Sequence, residues 1–230
     1  MSEVEYLEHL EMSVHRTPDG VTGPVVVLVH GAGLDRQDYA SFATTLAREG
    51  ALVFNTDWTV LGPSVAVGTE QIACAVRFAG AHAVDYGGLG AAVVLVAHSA
   101  AGLPALIAAV GAAPDSGLCP ADRPHPAALV LLAAAQSPGT PPWPLSLLGD
   151  DTDLEIAVVH GVDDRVIDPA RSRRTVELLR DAGYDVTYHL LPGGHYDLAE
   201  VTPVSRPGAG APDPRAVDAT VSIILGLGER

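Results

Sequence analysis

The chain has 230 residues, 48% hydrophobic and 18% charged, which suits one globular domain with a core large enough to need no staple. Its formal net charge of −15 repels nucleic acid and anionic membrane surfaces, and no stretch approaches the roughly 20 uninterrupted apolar residues of a membrane span. The opening Met1-Ser2-Glu3-Val4-Glu5 lacks the basic start and apolar run of a secretory signal, so a cytoplasmic protein is expected, with Cys74 and Cys119 as plain thiols in a reducing compartment.

From residue 24 onward, strand-like and helix-like runs alternate. Residues 25–29 are an apolar, β-branched run, as expected of a strand covered on both faces. Residues 38–49 read as a helix, with Phe42 and Leu46 four apart and Gly50 as the stop. A strand begins at 51–54, and 69–82 read as a helix with Ile72, Val76 and Ala79 on one face. Residues 91–97 form the third strand, His98 to Gly102 a turn, and a helix of small residues follows at 103–110. Residues 127–134 and 154–159 are further strands. Asp168-Pro169 opens a helix, because Asp caps free N–H groups and Pro suits a first turn; it ends near Gly183. Residues 186–191 are a sixth strand, and Asp213-Pro214 opens a last helix with Val217, Val221 and Ile224 on one face.

Repeated β-α units predict an α/β fold, with a mostly parallel sheet and helices on both faces, as a single domain over 1–230. Three Pro- and Gly-rich segments break the pattern, at 111–126, 136–153 and 202–212. Ligands of open α/β sheets bind beyond the carboxyl ends of the strands. The first two segments lie near that edge and are candidates for small lids; the alternative is plain surface loop.

The chemistry collects at the same edge. Ser99 sits on a tight strand-to-helix turn, where a hydroxyl can stand above the sheet and the Ala100 N–H opens a helix facing any anion. A serine hydroxyl needs a base to take its proton, and the base needs a carboxylate to fix its tautomer. Asp164 follows the fifth strand in His160-Gly161-Val162-Asp163-Asp164, and His195 follows the sixth in Pro192-Gly193-Gly194-His195. Asp163 competes for the acid role, and loop spacing favours Asp164. Asp197 reads as a cap or an exposed carboxylate. His98 reads as a packed, hydrogen-bonded residue, His30 and His160 as partners of loop carbonyls, and His125, between prolines, as a surface residue. No His/Cys/Asp/Glu cluster has metal-ligand spacing, and no Gly-x-Gly-x-x-Gly opens a helix, so neither metal nor nucleotide cofactor is expected.

These turns together resemble the α/β-hydrolase family over about residues 24–227. The order Ser99, Asp164, His195 matches that family's nucleophile, acid and base. His30-Gly31-Ala32-Gly33 looks like its oxyanion loop, so the resemblance implies N–H donors from Ala32 or Gly33 together with Ala100. It also makes Trp58 and Trp143 candidates for an apolar acyl wall. The chain departs from the family at the elbow, which reads Ala97-His98-Ser99-Ala100-Ala101 where Gly-x-Ser-x-Gly is usual. Each flanking glycine has gained a methyl, so an intact but tighter turn is expected. The resemblance implies hydrolysis of a carboxylic ester, or a related acyl bond, in a small-molecule substrate through an acyl-enzyme. Thioesterase and acyl-transfer or cyclising chemistry are alternatives on the same residues, as are haloperoxidase-like and lyase activities. A non-catalytic binding protein is the rival of another class. The sequence leaves monomer and homodimer equally open.

Overall fold

The computed structural model describes residues 1–60, 64–90, 92–110, 119, 125–134, 153–201 and 212–227. An eight-stranded sheet runs in the order β1-β2-β4-β3-β5-β6-β7-β8. Its members are β1 (Ser2–Leu7), β2 (Leu10–His15), β3 (Val25–Val29), β4 (Leu52–Thr56), β5 (Val93–His98), β6 (Ala128–Leu132), β7 (Glu155–Gly161) and β8 (Val186–Leu191). From β4 to β8 every pairing is parallel, while β1 and β2 form an antiparallel hairpin that joins β4 antiparallel at one edge.

Side chains alternate across a strand, so the valine runs serve two cores at once. Val25, Val27 and Val29 face a cluster with Ile72 and Val76 of α2 (Val65–His82), Ala105 and Leu106 of α3 (Gly102–Ala109) and Val176 and Leu179 of α4 (Pro169–Asp181). Val26 and Leu28 face the other cluster, with Phe42 and Leu46 of α1 (Ala40–Arg48) and Val217, Val221 and Ile224 of α5 (Pro214–Leu227). Among the described residues, three helices thus cover one face and two the other. Asp168 caps α4 as the sequence predicts, accepting from the Ala170 N–H at 2.9 Å.

Three features depart from the sequence reading. The hairpin β1–β2 went unread because its charged, alternating residues fit an edge ribbon, where only Val4, Tyr6 and alternate β2 residues reach the core. Helix α2 starts four residues early, and its Gly68 lies under the Trp58 ring: a Cβ there would come within 2.7 Å of that ring. The cysteines, expected as thiols, are a disulfide, with Cα atoms 5.8 Å apart. α2 packs beside α3, and the chain beyond α3 meets α2 again at Cys119, near the Glu70 carbonyl. A separation of 45 residues carries no local sign of such a pairing, and it removes the cysteine argument for a reducing compartment. Among the described residues no helix is long and apolar enough to cross a membrane. Most of both candidate lid segments lies outside the described residues.

Arg36 ties the edge hairpin to the centre. Its guanidinium bonds Glu3 at 2.8 Å and Glu11 at 2.7 Å and also pairs with Asp57, just past β4. The loop between β3 and α1 is thereby anchored beside the carboxyl ends of the parallel strands.

Candidate active site

β5 ends at His98, and the chain turns sharply into α3 through Ser99–Ala101. Ser99 has φ 54°, a left-handed conformation that costs a non-glycine residue about 1–3 kcal/mol. The turn forms with both elbow alanines fully buried. Room for it comes from the facing loop: a Cβ at Gly31 would lie 3.0 Å from Ser99 Cβ and 3.2 Å from His98 Nδ1. Glycine at 31 lets the two segments touch.

The serine, imidazole and carboxylate expected from the sequence come together. His195 Nε2 is 2.9 Å from Ser99 Oγ, and His195 Nδ1 is 2.8 Å from Asp164 Oδ2. An ionised carboxylate only accepts, so Nδ1 carries the proton and Nε2 is free to take one from the hydroxyl. Asp164 Oδ1 accepts from the Val166 and Ile167 N–H groups at 2.8 and 2.9 Å. Burial pushes the Asp164 carboxyl up, but the His160 and His195 imidazoles and the Ile167 N–H outweigh it and hold the group well below the usual carboxylate range. Asp163, its rival in the sequence, is exposed, and its backbone N–H donates to the Gly193 carbonyl at 3.0 Å. Asp197 accepts from the Gly194 N–H at 2.5 Å and opens a single turn after His195, so it shapes the base loop.

Sequence reasoning undervalued three residues. His98, fully buried, has Nε2 2.8 Å from the His195 carbonyl and Nδ1 2.5 Å from the Tyr39 hydroxyl. A carbonyl only accepts, so Nε2 bears the proton and Nδ1 accepts from Tyr39. The Tyr39 oxygen in turn accepts from the Gly31 N–H at 3.0 Å. One imidazole therefore links the base loop, the elbow and the 31–33 loop. Burial, then the neighbouring His195, pushes His98 down to about 3, so it stays neutral near pH 7. His160 does bond a loop carbonyl, as expected, but its Nε2 also lies 3.1 Å from Asp164 Oδ2. Tyr39 lies 59 residues from His98, beyond any local pattern.

The remaining candidates are placed as follows. Ala32 and Gly33 are exposed on the loop after β3, Gly33 with φ 72°, and Ala100 is half-buried on the elbow. His30 Nδ1 donates to the Gly31 carbonyl at 3.0 Å. Trp58, 8% exposed, donates to the His30 carbonyl at 2.9 Å and so supports this loop from beneath. Trp143 lies outside the described residues. Among the described residues no group of three or more His, Cys, Asp and Glu side chains is placed to hold a metal ion.

No protein-family model matches the chain, and no curated protein does. Solved structures match over nearly its whole length. Esterase 2 of the planctomycete Thermogutta terrifontis, with butyrate bound, superposes at a TM-score of 0.69 and 17% identity, over 96% of this chain and 91% of that one. A bacterial heroin esterase superposes at 0.69 and 18% identity, over 96% and 80%. The chain has the α/β-hydrolase fold. The α/β-hydrolase topology explains why residues so distant in sequence meet: β5, β7 and β8 are parallel in one sheet, so the turns that follow them open on one rim.

Proposed function

We propose that the protein is a serine hydrolase that cleaves carboxylic esters of small molecules through an acyl-enzyme. The observation that carries this reading is the continuous relay from Ser99 Oγ to His195 at 2.9 Å and on to Asp164 at 2.8 Å. The esterase identity of the superposed structures supports the same chemistry, and the Thermogutta enzyme has been captured with butyrate or propionate bound, which points to short acyl groups here.

In this mechanism Ser99 Oγ attacks the ester carbonyl carbon while His195 Nε2 takes its proton. The carbonyl π pair moves to oxygen, where the N–H groups of Ala100 and of Ala32 or Gly33 receive it; one such donor lowers the barrier by about 3–4 kcal/mol. Collapse of the tetrahedral species expels the alcohol, which takes the proton from His195. Water then attacks the acyl-enzyme, gives a proton to His195, and the acid leaves as Ser99 regains its hydrogen. Asp164 holds the imidazole in the Nδ1–H tautomer and steadies its cationic form.

A fluorophosphonate probe and a panel of p-nitrophenyl esters of increasing acyl length, run beside S99A, test the reading. Labelling confined to Ser99 and turnover lost in S99A are expected. A folded protein that neither labels nor turns over any ester would refute it. Including acyl-CoA thioesters in the panel separates a thioesterase from an esterase.

A further inference from the structure

We propose that His160 is a positioning residue that sets the pH at which the catalytic base becomes competent, by sharing its Nε2 proton with the carboxylate that holds that base. This rests on the ester-hydrolase reading above.

The geometry fixes which nitrogen bears hydrogen. His160 lies at the end of β7 and is fully buried. Its Nε2 is 3.1 Å from Asp164 Oδ2 and 3.0 Å from the Ile167 carbonyl oxygen, and both of these atoms only accept. Its Nδ1 is 2.6 Å from Ser172 Oγ on α4, whose hydroxyl is free to donate. The ring thus carries hydrogen on Nε2 and is held at both ends. Its N–H is shared with the carboxylate oxygen that also receives the His195 proton.

Its effect is on charge. Oδ1 of Asp164 is already clamped by two backbone N–H groups, so the carboxylate keeps its orientation without His160. A donor on Oδ2 draws negative charge away from the His195 side. Less charge there stabilises the His195 cation less, so the imidazole releases its proton at lower pH and serves as a free base over a wider range. Removing the donor reverses this, and His195 then holds its proton to higher pH.

The neighbouring groups leave this role to His160. His98 stays neutral down to about pH 3 and has committed its Nε2 to the His195 carbonyl. Asp163 and Arg165 of the same turn are exposed. Asp168 at the start of α4 caps the Ala170 N–H, and Asp197 in the base loop accepts from Gly194. Tyr196 lies edge-on to the His195 ring, with centroids 4.9 Å apart.

Two substitutions separate the ends of the ring. In H160N the amide overlays Nδ1 and reaches Ser172 but offers nothing to Asp164. In H160Q the amide nitrogen overlays Nε2 and restores the donor. The acid limb of kcat/KM for p-nitrophenyl acetate is measured from pH 5 to 9. H160N should move its midpoint up by about half a unit to one unit, so that activity at pH 6 falls roughly threefold to tenfold further than at pH 8, while H160Q stays within about 0.3 unit of wild type. Equal movement in both variants, no movement in either, or a downward shift in H160N overturns the proposal. NMR titration of the His195 ring reads the same midpoint in proteins that do not turn over, so a failed hydrolase reading and a failed role for His160 are told apart. On the unmutated protein, nitrogen-15 histidine spectra between pH 6 and 9 should show His160 as the Nε2–H tautomer. An Nδ1–H tautomer or an imidazolium in that range also overturns it, whatever the variants do.

Discussion

Asp164 and Ser99 occupy opposite ends of one hydrogen-bonded relay, and the chain supports them differently. At the acid end every carboxylate lone pair has a use: two backbone N–H groups on one oxygen, two imidazoles on the other, and 7% exposure. At the reacting end Ser99 is half-buried on a left-handed turn, next to a loop whose Ala32 and Gly33 are exposed. In the proposed mechanism the carboxylate only orients and stabilises the base, and it gains from redundant donors. In the same mechanism Ser99 must meet a substrate, and it gains from a conformation set by its neighbours rather than by its own contacts. Redundant hydrogen bonding therefore lies behind the base, and exposed loop residues lie in front of it.

The strongest way to break this contrast is at the acid end. Asp164→Asn keeps the shape but places an amide where only an acceptor fits, and it favours the wrong His195 tautomer. A loss in kcat of about four orders of magnitude is expected, with KM little changed. A loss of less than tenfold in steady-state assays would mean that the carboxylate is not what orients His195.

Next comes the brace between the two ends. Tyr39→Phe removes the acceptor of the buried Gly31 N–H and the donor to His98 Nδ1 at one stroke. The 31–33 loop then loses an anchor beside Ser99 while the carboxylate is untouched. A fall in kcat of roughly tenfold to a hundredfold is expected, with a stability loss of about 1–3 kcal/mol by urea unfolding. A stability loss with kcat intact would assign Tyr39 to the fold alone.

How far the sequence carries the reader follows the same division. The strand pattern and the order Ser99, Asp164, His195 are legible because each residue sits in a turn with its own glycine and strand context, and a parallel sheet brings such turns to one rim. The fold class and the relay could be stated from those turns. The brace could not. Tyr39, His98 and His160 act through partners 59, 97 and 4 residues away: an imidazole, a backbone carbonyl and a carboxylate. His160 is closest in sequence to its partner, yet it reads as an ordinary loop-carbonyl donor because that is also what it is. The edge hairpin and the disulfide escaped for a related reason. One has too little apolar periodicity, and the other joins segments that meet only after α2 and α3 have packed.

Acid unfolding sharpens the comparison by separating the groups in pH. His98 is held down at about 3 against an ordinary value of about 6.5, so between those limits the unfolded chain binds the extra proton. Its contribution to stability is whole above about pH 6.5 and drains away as the pH falls toward 3. Burial lowers His15 and His30 as well, so they add loss of the same sign. Asp164 is held below the ordinary carboxylate value, so its contribution is whole above about pH 4 and is lost only beneath that. Urea midpoints measured against pH should therefore fall in two stretches. H98Q should flatten the upper one and Asp164→Asn the lower one. Interchange of the two effects would reverse the assignment of the buried neutral and buried charged groups.

The smallest effect is expected one residue from the largest. Asp163 and Asp164 are adjacent carboxylates on one turn, alike in charge and in distance along the chain from His195. What separates them is that Asp163 is exposed, and among the described residues its tie to the base loop is its backbone N–H on the Gly193 carbonyl, which survives any side-chain change. Asp163→Asn should leave kcat/KM within about twofold and stability within about 0.5 kcal/mol, as for an exposed surface substitution. The pair forms an internal control, because net charge and turn sequence change alike in both variants and only burial and hydrogen bonding differ. A large kinetic loss in Asp163→Asn would show that negative charge anywhere on the turn serves the base. Redundant donors around Asp164 would then no longer explain the acid end.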